Sequence, residues 1–385
     1  MKVALVSHTA TTGGAELVLL ELARGLVGRG VTVDVILPGR GRLSHLLDGA
    51  GARTWSLVYD WWASSTRCWE AAARRARHNV GGAGSTFRLL KRLGPDVVVT
   101  NTLTIPTAAV AAKALRIPHV WYLHEFGEKD HGLSFDLGFA NSIRLINWLS
   151  ARVIVNSHAT FEEFSKRIAT RKLRVVYCAA DVPDEPHGIS SVPERPFRLV
   201  LVGNKTPSKG QEEAIRAVGL LRERGRQVRL ALVGHCPEED GRYLLALRNL
   251  VARVGAHDVV DFIDFTEDRY CYFAQSHVAL MCSRSEAFGR VTVEAMKFGL
   301  PVIGTNSGGT PELIRDGWNG LLYPSGESAE LAEQIDRLYW DPDLRAWLGG
   351  NGKAWAQGTF SIAQHTEDVM KILDEIMPAQ RSARP

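Results

Sequence analysis

Residues 283–312 read SRSEAFGRVTVEAMKFGLPVIGTNSGGTPE, and this run of loop, helix, strand and turn organises the rest of the chain. Phe288 and Gly289 stand where the loop turns into a helix. Gly299 and Pro301 close that helix, because glycine accepts the left-handed conformation after a helix end and proline cannot continue one. Pro301 to Thr305 is then a short apolar strand. After the turn Ser307-Gly308-Gly309, a second helix starts with Thr310 as N-cap and Pro311 at the first helical position. If Glu286 and Glu294 span two helical turns, their carboxylates lie about 12 Å apart at 1.5 Å per residue. A glycosidase pair stands about 5 to 9.5 Å apart, since both groups must touch one bond. The wider spacing suits a ligand with hydroxyl-rich groups at both ends and an anion between them. Free N–H groups near Gly289 and Arg290 would meet the anion.

Composition bounds the reading. At 385 residues the chain is long enough for two domains, and 45% hydrophobic with 23% charged residues describes an ordinary globular protein. No apolar run approaches the roughly 18 residues that cross a bilayer. Lys2 leads directly into Val3-Ala4-Leu5-Val6, too short for a signal-peptide core, so a cytoplasmic location is expected. Five cysteines, an odd number without CxxC spacing, argue against zinc and disulfide frameworks. The net charge of +4 hides an asymmetry: residues 1–181 hold 23 Lys+Arg against 14 Asp+Glu, or +9, and the remainder 23 against 28, or −5. A basic first half suits an anionic acceptor or membrane surface, or is a solvated face. No nucleic-acid partner is expected.

The alternation of strands and helices then repeats along the chain. Lys2 to His8 reads as a strand, Thr11 to Gly14 as a loop opening a helix at Ala15-Glu16-Leu17, and Val31 to Leu37 as the next strand. Such units aim backbone N–H groups at the carboxyl edge of a parallel sheet, where open α/β folds bind ligands. Further strands fall at 96–101, 119–124, 152–156 and 173–177, with helices at 107–115, 139–149 and 160–169. His124-Glu125 stands at one strand end. Residues 59–93 are the hardest to assign: Trp61, Trp62 and Trp69 neighbour Arg74, Arg75 and Arg77, which makes either an acceptor surface or core packing beside a basic face. Prolines 183, 186, 193 and 196 mark a linker. The alternation restarts at Leu199, with the loop Gly203-Asn204-Lys205-Thr206-Pro207-Ser208-Lys209-Gly210, which lacks the order of an ATP P-loop. Strands at 228–233, 259–262 and 278–282 and helices at 242–254, 268–276, 329–339 and 362–376 follow. Asp341-Pro342-Asp343 spells an acid-x-acid metal pattern but reads as a helix cap. Gly82-Ala83-Gly84 lacks the third glycine of a dinucleotide fingerprint.

The quoted residues resemble the nucleotide-sugar site of the retaining glycosyltransferases of family 4. The likeness rests on Glu286 and Glu294, Phe288-Gly289, Glu294-Ala295-Met296, Gly299 to Val302, and Gly308-Gly309-Thr310-Pro311-Glu312, with Gly13-Gly14-Ala15-Glu16, His124-Glu125 and Lys209-Gly210 beside them. Two departures stand out. Cys178-Ala179-Ala180-Asp181 replaces the usual Asn-Gly ahead of the Asp, and Asn204 replaces the Arg five residues before the Lys.

The resemblance implies an α/β protein of the GT-B fold: two Rossmann-like domains, an acceptor domain at 1–182 and a donor domain at 197–360, facing each other across a cleft. A linker would run over 183–196, and a terminal helix at 361–377 would return to the first domain. It implies His124, Lys209 and Glu286 as catalytic residues. The donor diphosphate would meet Gly13, Gly14, Asn204, Lys205, Lys209, Phe288, Gly289 and Arg290, and the sugar His124, Glu286, Ala287 and Phe288. The nucleoside would meet Gly203 and Glu294, and the acceptor Trp61, Trp62 and Glu125. No metal and no cofactor are expected, only a nucleoside-diphosphate sugar, with UDP favoured over GDP. A hexose-type sugar would pass, with retained configuration and by front-face substitution, to a hydroxyl of a glycoconjugate, a polysaccharide precursor or a small cyclitol-like acceptor. A lipid-linked acceptor would bring peripheral contact with an anionic membrane. The alternatives are a nucleotide-sugar 2-epimerase of the same fold and a non-catalytic nucleotide-sugar or glycan-binding protein.

Overall fold

The computed structural model describes residues 1–65, 68–183, 194–237, 241–266 and 268–377. The chain divides into two units, residues 1–180 together with the chain from Ser361 onward, and residues 181–360. Most of the linker expected over 183–196, and the tail beyond residue 377, lie outside the described residues.

In the first unit the strands are β1 (Lys2–Val6), β2 (Thr32–Leu37), β3 (Arg53–Ser56), β4 (Ala63–Ser64), β5 (Val97–Thr100), β6 (His119–Leu123), β7 (Ser134–Phe135), β8 (Arg152–Val155) and β9 (Leu173–Val175). Seven of them form one parallel sheet in the order β3-β2-β1-β5-β6-β8-β9, and β4 and β7 pair as a small antiparallel ribbon. Val97–Thr100 and His119–Leu123 are buried throughout, as expected of parallel strands covered on both faces. The terminal helix Ile362–Ile376 packs within this unit. Gly25 permits that approach, since a Cβ there would lie 1.9 Å from Thr366 Oγ1. Arg174 and Arg152 hold Glu375, at 2.8 and 3.2 Å.

The second unit carries β10 (Phe197–Val202), β11 (Val228–Val233), β12 (Val260–Ile263), β13 (Val278–Met281), β14 (Val302–Thr305) and β15 (Leu321–Tyr323). Its sheet is wholly parallel in the order β12-β11-β10-β13-β14-β15, so successive connections run to one side from β10 and to the other from β13. That reversal is a topological switch point, and it leaves a crevice at the carboxyl ends of β10 and β13. The first sheet reverses in the same way between β1 and β5.

Several local readings shift. Trp69–Leu93 is a continuous helix of 25 residues, with Gly82 inside it where Tyr59 and Val58 pack closely. The helix expected from Thr160 starts at His158, because the Ser157 hydroxyl caps it by accepting the Thr160 N–H at 3.1 Å. Thr310 is the first helical residue rather than the N-cap: Gly309 holds that place, and Pro311 follows within the first turn. Asp341 is a cap, accepting the Leu344 N–H at 2.8 Å at the head of a helix over Pro342–Thr359.

Candidate functional site

At the switch point of the second sheet, the loop after β10 and the loop after β13 lie against each other. Gly210 has φ +67°, and a Cβ there would come within 2.0 Å of Cys282 O, so only glycine lets the two loops close. Lys209 donates to Glu286 Oε2 at 2.8 Å, both side chains being partly exposed, and the stem of Lys209 lies over Gly203. Behind Glu286, the Gly308–Gly309 turn packs on its backbone, with Gly309 N–H donating to Glu286 O at 2.7 Å. Gly289, at φ +96°, caps the helix Arg290–Lys297, so the start of that helix lies at this edge. The side chains of Ala287 and Phe288 are buried, Phe288 edge-on to Phe360, so these two residues have backbone groups to offer a ligand.

Glu286 and Glu294 do not share a helix. Glu286 belongs to the preceding loop, because the positive φ of Gly289 breaks the helical run before Arg290. Glu294 is 1% exposed and heavily engaged. Arg269 grips it with Nε on Oε2 at 3.1 Å and Nη2 on Oε1 at 2.8 Å, and Arg290 Nε reaches Oε1 at 2.9 Å. Burial works to lower the Arg269 pKa, but the hydrogen bonds and charge of Glu294 outweigh it, and the guanidinium is held above its ordinary value. A carboxylate has about four lone-pair directions, so this clamp still leaves Oε2 able to accept one more hydrogen bond. Arg269 was not singled out from the sequence. The available signal was a basic residue in the loop after a strand at the sheet's carboxyl edge.

Lys205 does not stand in for the absent Arg. Its side chain is buried and its ammonium donates to the carbonyls of Gly234 and, at 2.6 Å, Ile263. Burial pulls its pKa below the ordinary lysine value, against the attraction of Asp264 and Cys236. Asn204 is exposed, and its carbonyl accepts from Gln211 Nε2 at 2.8 Å.

At the carboxyl edge of the first sheet, burial holds His8 and His124 neutral. Asn101 Nδ2 donates to Ala15 O at 2.8 Å, which turns its Oδ1 toward His124 Nε2, also at 2.8 Å. His124 therefore carries its proton on Nε2, and Cys178 Sγ lies 3.7 Å from Nδ1. Burial, with His365 and His8 adding, depresses the His124 pKa to about 3. Gly13 N–H donates to Glu16 Oε2 at 3.1 Å, and Glu16 Oε1 is 3.3 Å from His8 Nδ1. Burial raises Glu16 to about 7 and lowers His8 to about 4.

Two expected acceptor residues face inward. Trp62 is buried, stacked on Trp121 with its indole N–H on Leu103 O at 2.9 Å, because β4 and β7 fold it into the core. Glu125 is also buried and braces two loops: Oε1 accepts from Thr102 Oγ1 at 2.9 Å and Leu103 N–H at 2.6 Å, and Oε2 from the His124 N–H at 3.1 Å. Trp61 is partly exposed and lies against His8, its indole N–H on His8 O at 3.1 Å. Among the described residues, no group of three or more His, Cys, Asp or Glu is placed to hold a metal ion. None of the described helices is long and apolar enough to cross a membrane.

Two parallel sheets, each with a glycine-bearing ligand edge, define a pair of Rossmann-like halves, and comparison with known proteins gives the family. Residues 12–183 match the family described as Glycosyltransferase Family 4, and residues 184–355 match Glycosyl transferases group 1. The chain belongs to the family 4 glycosyltransferases, with the GT-B fold. Similar proteins include a D-inositol 3-phosphate glycosyltransferase of Corynebacterium jeikeium, 30% identical over 54% of this chain and 53% of the relative. The alpha-D-kanosaminyltransferase of Streptomyces kanamyceticus is 27% identical over 48% of this chain and 46% of the relative. The chain thus matches about half the length of these curated relatives. Among solved structures, Anabaena Alr3699/HepE in complex with UDP-glucose aligns with a TM-score of 0.78 at 24% identity, covering 98% of this chain and 100% of that one. WaaG, a glycosyltransferase involved in lipopolysaccharide biosynthesis, aligns with a TM-score of 0.72 at 18% identity, covering 98% and 100%. At these identities the likeness is one of fold.

Proposed function

We propose that this chain transfers a hexose-type sugar from a nucleoside diphosphate, UDP in preference to GDP, to an acceptor hydroxyl with retention of anomeric configuration. The observation that carries the reading is the 2.8 Å Lys209–Glu286 pair at the switch point of the second sheet, beside the N-terminus of the helix Arg290–Lys297. An arriving diphosphate competes for the Lys209 ammonium. Glu286, released from it, accepts hydrogen bonds from the sugar. As the sugar–phosphate bond breaks, charge grows on the departing diphosphate, where Lys209 and the N–H groups near Gly289 and Arg290 are aimed in advance. The acceptor's proton passes to the leaving phosphate oxygen, which balances front-face substitution without a covalent intermediate.

The remaining roles follow the same reading. Oε2 of Glu294 accepts from a ribose hydroxyl, Gly203 borders the nucleoside, and Asn204 offers the diphosphate a neutral side-chain amide in place of the family's Arg. From the first unit, Gly13, Gly14 and His124 serve the diphosphate and the sugar. UDP-glucose bound to the similar fold of HepE supports a UDP-linked donor. A lipid-linked acceptor at an anionic bilayer is supported by the helix Trp69–Leu93, which leaves Trp69 79% and Val80 76% exposed with Arg74, Arg77 and Arg88 also exposed along it.

The test is a panel of UDP-, GDP- and ADP-sugars with glycolipid, glycan and cyclitol acceptors, the product's anomeric configuration being read by NMR. Transfer with retention is expected. An inverted product, solvent deuterium entering the sugar without acceptor, or donor binding without any turnover would each overturn the reading.

A further inference from the structure

Two buried polar atoms under the Gly13–Gly14 loop face each other with nothing else to bond. His8 Nδ1 and Glu16 Oε1 are both shielded from solvent, neither has a hydrogen-bond partner, and they lie 3.3 Å apart. With no other partner for either atom, one proton must lie between them, carried by the imidazole or by the carboxyl. The other Glu16 oxygen accepts the Gly13 N–H at 3.1 Å, so a single carboxyl ties the loop to the strand end beneath it. The arrangement is sealed by Trp61, whose ring centroid lies 5.0 Å from that of His8.

We propose that Glu16 is a positioning residue that works as a neutral carboxylic acid, donating its O–H to His8 Nδ1 while accepting from Gly13 N–H, and so presents the loop to a diphosphate without an opposing charge. This rests on the assignment of Gly13 and Gly14 to the donor. The surroundings favour the protonated form. Burial is the largest influence, the Glu125 carboxyl adds to it, and two backbone N–H groups, of Glu16 and Gly13, act against it, leaving Glu16 near pH 7. His8 is kept neutral by burial and by His131, so no imidazolium balances an ionised Glu16. His124 also bears on this cluster through its interaction with His8, and Asp130 through Glu125. Ionisation of Glu16 would place a negative charge directly beneath the loop that a diphosphate is to approach.

Glu16→Gln is the natural mimic, since its amide NH2 donates to His8 Nδ1 and its carbonyl accepts from Gly13 N–H. Infrared difference spectra between the wild-type chain and Glu16→Gln isolate this one carboxyl from all others. A protonated carboxylic C=O stretch present at pH 6 and lost as pH rises through about 7 is expected; its absence at pH 6 would overturn the proposal. UDP binding by calorimetry from pH 6 to 8.5 gives the second readout, with wild-type Kd rising by up to about tenfold per pH unit above 7 and Glu16→Gln showing no such rise. The ionisation of UDP itself is common to both proteins and cancels. Parallel profiles in the two proteins would sink the positioning role. If neither protein binds UDP, GDP or ADP at any pH, the donor assignment fails, and with it the positioning role, while the infrared band still decides the protonation state.

Discussion

The two sheets share a topology with a switch point in each, yet the edges there differ in charge. At the second, five charged side chains close on one another: Lys209 on Glu286, and Arg269 with Arg290 on Glu294. At the first, burial keeps His8 and His124 neutral and pushes Glu16 up to about 7. Cations already paired with carboxylates can be handed to an incoming anion at little cost in desolvation. Neutral donors and acceptors suit hydroxyl groups; His8 and His124 keep their charge state near neutral pH, whereas Glu16 ionises as pH rises through about 7. The fold supplies two topologically equivalent edges, and the side chains make them electrostatically different.

The comparison is broken most severely at Glu294. Truncation to Ala strands two largely buried guanidinium groups, a loss of the order of 3–5 kcal/mol for a buried pair. Glu294→Ala should therefore melt well below the wild type and also bind UDP more weakly; an unchanged Tm with unchanged UDP affinity would remove the residue from both roles. Lys209→Ala comes next. Loss of one preorganised donor to a developing charge typically costs about 2.7–4 kcal/mol in turnover, so kcat should fall about 100- to 1000-fold while donor Kd moves far less, and equal losses in both would count against charge stabilisation at the leaving group.

Acid titration sharpens the other side. His119, buried with Nε2 on Thr100 Oγ1 at 2.8 Å, and His124 have pKa values near 3, against an ordinary 6.5. A depressed folded pKa gives stability that is complete above pH 6.5 and is lost as pH falls toward 3, at about 1.4 kcal/mol per pH unit for each proton. His119→Gln should remove one proton's worth of that slope in melting curves taken from pH 6.5 to 4; an unchanged slope would show that His119 is not held neutral. The smallest effect concerns the surface. Trp69→Ala with Val80→Asp should reduce co-sedimentation with phosphatidylglycerol vesicles severalfold, leave the unfolding free energy within about 0.5 kcal/mol of the wild type, and leave UDP affinity untouched. Equal binding to neutral and anionic vesicles would remove the charge argument.

Much of this was legible in the sequence, and the remainder was hidden for identifiable reasons. Apolar runs such as 97–100 and 278–281 betray parallel strands because burial on both faces abolishes alternation. Gly289 and Lys209 are readable because helix starts and glycine turns are local chemistry. What the sequence conceals is pairing between distant residues. Nothing in the spacing announces that Arg269 will clamp Glu294, that Lys205 will turn inward to two carbonyls, or that Trp62 will stack on Trp121. The extent of the helix over Pro342–Thr359 was hidden by Gly349, Gly350 and Gly352. At Gly349 a Cβ would meet Gly299 O at 2.1 Å, so close packing, not helix propensity, dictates that glycine.

The central claim is that a nucleoside diphosphate lies at the charged edge of the second sheet. Amide hydrogen exchange of the full chain, with and without saturating UDP, tests it most directly. Protection is expected in segments 203–210 and 283–290, with 308–312 following because that turn packs on Glu286. Protection confined to the first unit, or none with any nucleoside diphosphate, would contradict the account.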